Sequence, residues 1–187
     1  MKPEGCRKLI KWVTLAGVAF LLFLLLRVGR GPLEEGRRAM AKATLQGFAI
    51  GMMNYKQEYK SWPMEATEKL SEEKVQGTQG AILNVLMAGE DKLNPRKIRF
   101  FDPPLAKDKK SGVFILNKEP VLLDPWGEPY YFILDYNGDG SIPNPDMARK
   151  RIRDSVEPDN LPFGVIIFSS GPDSDLSTWK DNVVSWR

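Results

Sequence analysis

The chain has 187 residues, with 27 basic and 24 acidic side chains and a formal net charge of +3. It contains no histidine and a single cysteine, Cys6, which excludes a Ser-His-Asp or Cys-His mechanism, an internal disulfide and a Cys/His zinc site within the chain. The near-even charge argues against a nucleic-acid binder, and we predict neither an enzyme nor a small-molecule site. Any metal would have oxygen ligands, which favours calcium or magnesium.

The first predicted element is an apolar segment at the N-terminus. Residues 12–26 carry no charge over 15 positions, and Lys11 and Arg27 bracket them. These two side chains can reach the headgroups, so the segment extends to the ~17 residues that crossing a bilayer requires. We predict a single transmembrane anchor within residues 1–31, a cytoplasmic N-terminus and an external domain over residues 32–187. A cleaved signal peptide is the alternative, although no small-x-small cleavage site follows Leu26.

A long helix is predicted after the anchor, over residues 33–60. Pro32 suits its first turn, and Pro63 ends it because the residue before a proline avoids the α region. The apolar stripe that should pack on a sheet comprises Met40, Ala43, Thr44, Phe48, Ile50, Gly51, Met52, Tyr55 and Tyr59. The variable middle, residues 64–110, offers only one further element, a short buried helix over Ala81 to Ala88.

The last part of the chain, residues 111–187, is rich in β-branched and aromatic runs. They predict strands of one antiparallel sheet at Val113–Leu116, Val121–Leu123, Tyr130–Leu134 and Phe163–Phe168. Asp124-Pro125-Trp126-Gly127 has the residue order of a type I turn. The predicted fold class is therefore α+β, with a long helix packed on a small antiparallel sheet.

Two oxygen-rich loops interrupt these strands. The first matches the start of a calcium loop, with candidate ligands Asp135, Asn137, Asp139, Ser141 and Asp146. Its alternative is a plain β-turn, since Asn-Gly and Asp-Gly favour hairpins. The second loop runs from Ser169 to Asp175 and is followed by Asp181, so its carboxylates would suit a hard cation if they converge. Its alternative is a solvated turn in which aspartates cap backbone amides.

Three segments of the chain are similar to a known family. They are Asn54–Pro63 at the helix end, Asp124–Tyr130, and Phe168–Asp173 followed by Asp181 and Trp186. Together they resemble the type IV pilin-like proteins, most closely the major pseudopilins of type II secretion systems. The resemblance implies a helix whose first half lies in the membrane and whose second half packs on the sheet. It also implies a structural role in a secretion or pilus-like apparatus of the bacterial inner membrane, with a domain that is periplasmic or external. The partners that it implies are the membrane, through the anchor, and other pilin-like or secretion subunits, which could include copies of this chain.

The resemblance further implies calcium in the C-terminal loop. By position, the Ser170 carbonyl, Asp173 and Asp181 would be ligands, with Asp175 as an additional carboxylate. Lys180 stands where the family often has a second acid.

The N-terminus departs from the family pattern. Trp12 stands where family precursors have the glycine that precedes the cleavage site, and Gly17 where they have a glutamate. This departure favours the alternative function, a membrane-anchored envelope scaffold or binding protein that keeps a pilin-type domain and forms no filament.

Overall fold

The computed structural model describes Trp12, Gly17 and residues 30–63, 73–146 and 158–187. The predicted anchor therefore lies outside the described residues, apart from Trp12 and Gly17. Within the described ranges, no helix combines the length and apolar character that crossing a bilayer requires. The chain divides into two compact units at Arg37 and Arg38, six residues beyond the boundary predicted at residue 31.

Helix α1 spans Arg30–Tyr59 and includes Pro32. Its buried face recurs mostly at steps of three and four residues and consists of Ala41, Leu45, Phe48, Gly51, Met52 and Tyr55. The predicted stripe was therefore correct at Phe48, Gly51, Met52 and Tyr55, half-buried at Thr44 and Tyr59, and wrong at Met40, Ala43 and Ile50, which are exposed. The true face is shifted around the helix, because Ala41 and Leu45 fill the contact with the sheet.

A second helix and eight short strands complete the described fold. Helix α2 covers Ala81–Leu86 and buries Ile82, Leu83, Val85 and Leu86, as predicted for this segment. The strands are β1 (Gln76–Gly77), β2 (Gly112–Leu116), β3 (Glu119–Leu123), β4 (Tyr131–Leu134), β5 (Ile142–Pro143), β6 (Asn160–Leu161), β7 (Val165–Ser169) and β8 (Val183–Val184).

The strands form one four-stranded antiparallel sheet, of order β1-β4-β7-β8, and two separate pairs, β2-β3 and β5-β6. All four predicted strands exist, but the prediction that they share one sheet was wrong. Strand β3 meets the larger sheet through single bonds at Leu122, whose N–H donates to Thr78 O at 3.0 Å and whose O accepts from Tyr130 N at 3.2 Å. The β2-β3 hairpin consequently leaves the sheet instead of extending it.

Both faces of the four-stranded sheet are buried. Side chains of a strand alternate between faces, so Val165 and Ile167 join α1 in the main core while Ile166 and Phe168 join a second cluster on the opposite face. Trp179 and Trp186 cover that second cluster. The segment that follows β7 is thus packed on the sheet, and its loop begins at the C-terminal end of β7.

Candidate functional site

The turn after β3 is organised by one buried carboxylate. Asp124 has no exposed surface, and its Oδ1 accepts the backbone N–H groups of Trp126, Gly127 and Glu128 at 2.9, 2.8 and 2.9 Å. Gly127 N also donates to Asp124 O at 3.2 Å, which closes the predicted type I turn. A buried carboxylate is tolerated here because backbone donors surround it.

The second oxygen of Asp124 connects this turn to the C-terminal loop. Ser169 Oγ donates to Asp124 Oδ2 at 2.5 Å and accepts from Gly171 N at 3.0 Å. Ser169 itself is fully buried. Two of the three segments that resemble pilin-like proteins therefore meet in one hydrogen-bonded chain, although 45 residues separate Asp124 from Ser169.

Helix α1 holds the C-terminal segment through two cations one helical turn apart. Arg38 Nη1 donates to Asp181 O at 2.9 Å, and Lys42 Nζ donates to Val184 O at 2.9 Å and to Arg187 O. Burial, together with the positive charge of Arg187, lowers the pKa of Lys42. These bonds border an open cavity of about 310 Å³ between α1 and β8. In the sequence, only the i, i+4 spacing of Arg38 and Lys42 indicated that both side chains could bind the same segment.

The predicted ligands of the C-terminal loop are divided between its tip and its base. At the tip, Asp173 accepts from Asp175 N and from Thr178 Oγ1, and Asp175 Oδ1 accepts from Ser177 N at 2.8 Å. This is the capping arrangement of the alternative interpretation. Among the described residues, no group of three acidic side chains with oxygens within 4.8 Å of one another includes a residue of this loop.

The base of the C-terminal loop has unpaired oxygen atoms. Ser170 Oγ and Asn182 Oδ1 are buried and lack a hydrogen-bond partner among the described residues. The two strands of the loop run very close there, since a Cβ on Gly171 would lie 2.5 Å from Asp181 O. Buried oxygens normally have partners, so the base of the loop fits a bound cation better than its tip does.

The β4-β5 loop brings together only part of its predicted set. Asp135 is 3 % exposed and accepts Gly138 N at 2.7 Å and Gly140 N at 3.0 Å. Asn137 Oδ1 accepts from Asp139 N, and Asp139 Oδ1 accepts from Ser141 N, both at 2.8 Å. Ser141 therefore contributes its amide to this turn.

Asp146, the predicted last ligand of this loop, has a different partner. Its side chain is 2 % exposed and forms an ion pair with Arg187. It does not belong to the carboxylate cluster that contains Asp135 and Asp139. The structure therefore pairs Asp146 with Arg187 and does not group it with Asp135 and Asp139, although the twelve-residue spacing predicted that grouping.

Glu73 takes the position that Asp146 was expected to fill. Oxygens of Glu73, Asp135 and Asp139 lie within 4.8 Å of one another, and Glu73 Oε1 is buried without a hydrogen-bond partner among the described residues. Burial, followed by the charges of Asp139 and Asp135, raises the pKa of Glu73. Sequence reasoning missed Glu73 because it is 62 residues from Asp135 and belongs to no local motif.

Comparison with protein-family models, with curated proteins and with solved structures finds no match to this chain. The site is therefore defined by its own geometry: a buried turn at Asp124, a C-terminal loop tied to that turn and to α1, and an acidic cluster on the β4-β5 loop.

Proposed function

We propose that the chain is a membrane-anchored, pseudopilin-like structural component of a type II secretion or type IV pilus-like apparatus. The described α+β fold, with α1 packed on an antiparallel sheet, supports this assignment. So does the hydrogen-bonded chain from Asp124 through Ser169 to Gly171, since it joins two segments on which the family resemblance rests. The proposed role is structural and non-catalytic, in the bacterial inner membrane with a periplasmic domain.

The observation that carries the proposal is an exposed apolar face on α1. Met40 is 53 % exposed, Ile50 60 % and Met53 46 %, and Ala43 is exposed between them. Met40, Ala43 and Ile50 lie on the side of the helix away from its buried face, whereas Met53 lies at the margin, where its sulfur comes close to Gly164 ahead of β7. Exposed apolar side chains grouped on one side of a helix are typical of subunits that pack against one another. Helix-to-helix packing of copies or related subunits would bury this face.

An assembly assay with two charge variants tests the proposal. Ile50→Lys places a charge on the exposed apolar residues of α1, whereas Gln79→Lys places the same charge at an exposed polar position outside the helix. We expect both variants to melt like the wild type. We expect only Ile50→Lys to lose crosslinking to itself and co-purification with other pilin-like or secretion subunits. Equal crosslinking of all three chains, or co-purification without any such subunit, would contradict the proposal.

The second candidate function is a membrane-anchored envelope scaffold or binding protein that forms no filament. Trp12 and Gly17, at the places of the family's glycine and glutamate, favour it. Mass spectrometry of the mature N-terminus separates the two functions. A processed, methylated N-terminus supports filament assembly, and an intact Met1 supports the scaffold.

We also propose that calcium stabilises the domain. The unpaired oxygens of Ser170 and Asn182 support a cation at the base of the C-terminal loop. The side chain of Asp181, the neighbour of Asn182 in sequence, would be its carboxylate ligand. The cluster of Asp135, Asp139 and Glu73 is the second candidate. A ligand that binds only the folded state raises the melting temperature as its concentration rises. The calcium-dependent shift should disappear in Asp181→Asn if the first place binds and in Asp139→Asn if the second does, and no shift in the wild type at millimolar calcium would refute both.

A further inference from the structure

The β2-β3 hairpin ends in an apolar tip. Ile115 is 57 % exposed, Leu116 is 52 % exposed, and Leu105 on the adjoining segment is 76 % exposed. Successive residues of a strand point to opposite faces, so Ile115 and Leu116 make both faces of the tip apolar. A flat protein surface would cover only one of these faces, whereas a medium that surrounds the tip would cover both.

Lysines flank this tip. The stretch from Leu105 to Glu119 has four, all exposed: Lys107, Lys109, Lys110 and Lys118. Its only acids are Asp108 and Glu119, so four positive charges minus two negative ones leave +2. Lys109 Nζ lies 5.6 Å from the centre of the Phe114 ring, which places one of these cations beside the hairpin.

Two of the lysines occupy backbone positions that favour glycine. The hairpin turn has Asn117 at φ 50° and Lys118 at φ 71°, and the preceding turn has Asp108 at φ 50° and Lys109 at φ 55°. Two consecutive positive φ values characterise the tight turns in which glycine is preferred. Each of these two tight turns therefore contains an exposed lysine.

Addition of a partner strand does not explain the hairpin. The outer edge of β2 is covered at Val113, whose N–H donates to Pro104 O and whose O accepts from Ala106 N, both at 2.8 Å. In the alternation of an antiparallel pair, the next outward-facing residue is Ile115. On this edge of β2, Ile115 alone therefore presents backbone groups to an incoming strand, and one residue is too few for stable strand pairing.

We propose that the tip of the β2-β3 hairpin inserts into an anionic lipid surface. Ile115, Leu116 and Leu105 enter the boundary between headgroups and acyl chains, and the flanking lysines contact the lipid phosphates. Apolar side chains bordered by cations bind anionic bilayers in this way. The positive charge supplies the complementarity to the headgroups.

The test places a fluorophore at the tip of the full-length chain reconstituted in vesicles. Cys6→Ser removes the only cysteine, and Ile115→Cys provides the labelling site. Phe163→Cys is the matched control, because Phe163 is also an exposed apolar residue, at 42 %, outside the lysine-rich hairpin. We expect doxyl-labelled lipids to quench the label at position 115 several-fold more than at 163 in phosphatidylglycerol vesicles, and much less in phosphatidylcholine vesicles.

Charge reversal completes the test. At about fivefold per lysine near an anionic surface, Lys109→Glu with Lys118→Glu should lower the inserted population more than tenfold, and 0.5 M salt should lower it as well. Equal quenching at positions 115 and 163, or quenching that ignores lipid charge and both lysine changes, would overturn the proposal. A label that is shielded in detergent without lipid, in a concentration-dependent way, would overturn it in favour of a protein partner. The result does not depend on filament assembly, since the vesicles hold this chain alone.

Discussion

Removal of the Asp124 carboxylate is the sharpest perturbation of the domain. Asp124→Ala removes the side-chain acceptor of three half-buried backbone N–H groups and of the buried Ser169 hydroxyl. Of these donors, Gly127 N keeps a second acceptor, the backbone oxygen of residue 124. A lost acceptor costs about 1–3 kcal/mol per buried donor, and the three turn amides regain part of this from water. We therefore expect a loss of about 3–5 kcal/mol, which for a domain of this size corresponds to a fall of about 6–20 °C in melting temperature.

Asp124→Asn separates hydrogen bonding from charge. The amide oxygen can still accept from the three turn N–H groups, while the amide nitrogen replaces the acceptor of Ser169 Oγ. Ser169→Ala removes the same link from the other side and leaves the buried Gly171 N–H unpaired. Each of these two changes should cost about 1–2 kcal/mol, less than the loss in Asp124→Ala.

Thermal melting of the full-length chain in mild detergent, followed by near-ultraviolet circular dichroism, measures all three variants. The double variant Asp124→Ala with Ser169→Ala should cost less than the sum of the single changes, because one bond is counted in both. The reasoning fails if Asp124→Ala and Asp124→Asn melt within 1–2 °C of each other. It also fails if the double variant is strictly additive.

Three further predictions follow from the same geometry. Glu73 has a raised pKa, so the folded domain loses stability as the pH rises from the ordinary carboxyl range through that raised value. Glu73→Gln should therefore raise the melting temperature at pH 7.5 without calcium and flatten this pH dependence. An unchanged pH profile of the melting temperature would contradict the acidic cluster. Gly171→Ala should cost about 2–4 kcal/mol in thermal melting, because φ is 72° and the new Cβ would lie 2.5 Å from Asp181 O; a neutral result would show that the base of the loop is open. Gly51→Ala should destabilise α1 by about 1–2 kcal/mol in the same assay, since a Cβ 2.8 Å from Phe100 O outweighs the ~1 kcal/mol that alanine contributes in a helix; stabilisation would refute this close contact.

Local sequence patterns predicted most of the elements. The three- and four-residue recurrence predicted α1, and β-branched runs bounded by turn formers predicted β2, β3, β4 and β7. Strands β1, β5, β6 and β8 were missed because two residues are too few to show an alternation. The exact buried face of α1 was missed as well, because Met40 and Ile50 are as apolar as Leu45, and only the position of the sheet decides which of them is covered.

The candidate site was less accessible to sequence reasoning because its contacts are distant along the chain. The Asp124 turn was predicted from its own four residues. Its bond to Ser169, in contrast, depends on the tertiary fold, which brings the residue after β3 next to the last residue of β7. The replacement of Asp146 by Glu73 has the same origin. Arg187 neutralises one carboxylate and chain folding supplies another, so residue spacing within the loop could not identify the cluster.

The two edge strands of the four-stranded sheet limit how copies of this domain can associate. Its outer strands, β1 and β8, have two residues each, and Lys42 binds the Val184 carbonyl next to the outermost edge. So short a row of backbone groups gives an incoming strand almost nothing to pair with, which protects the sheet against edge-to-edge joining. Among the described strands, growth of an assembly by continuous sheet, the route that leads to amyloid-like fibres, is therefore disfavoured at these two edges. The association that we propose would rest instead on side-chain contacts, such as those of the exposed apolar residues of α1.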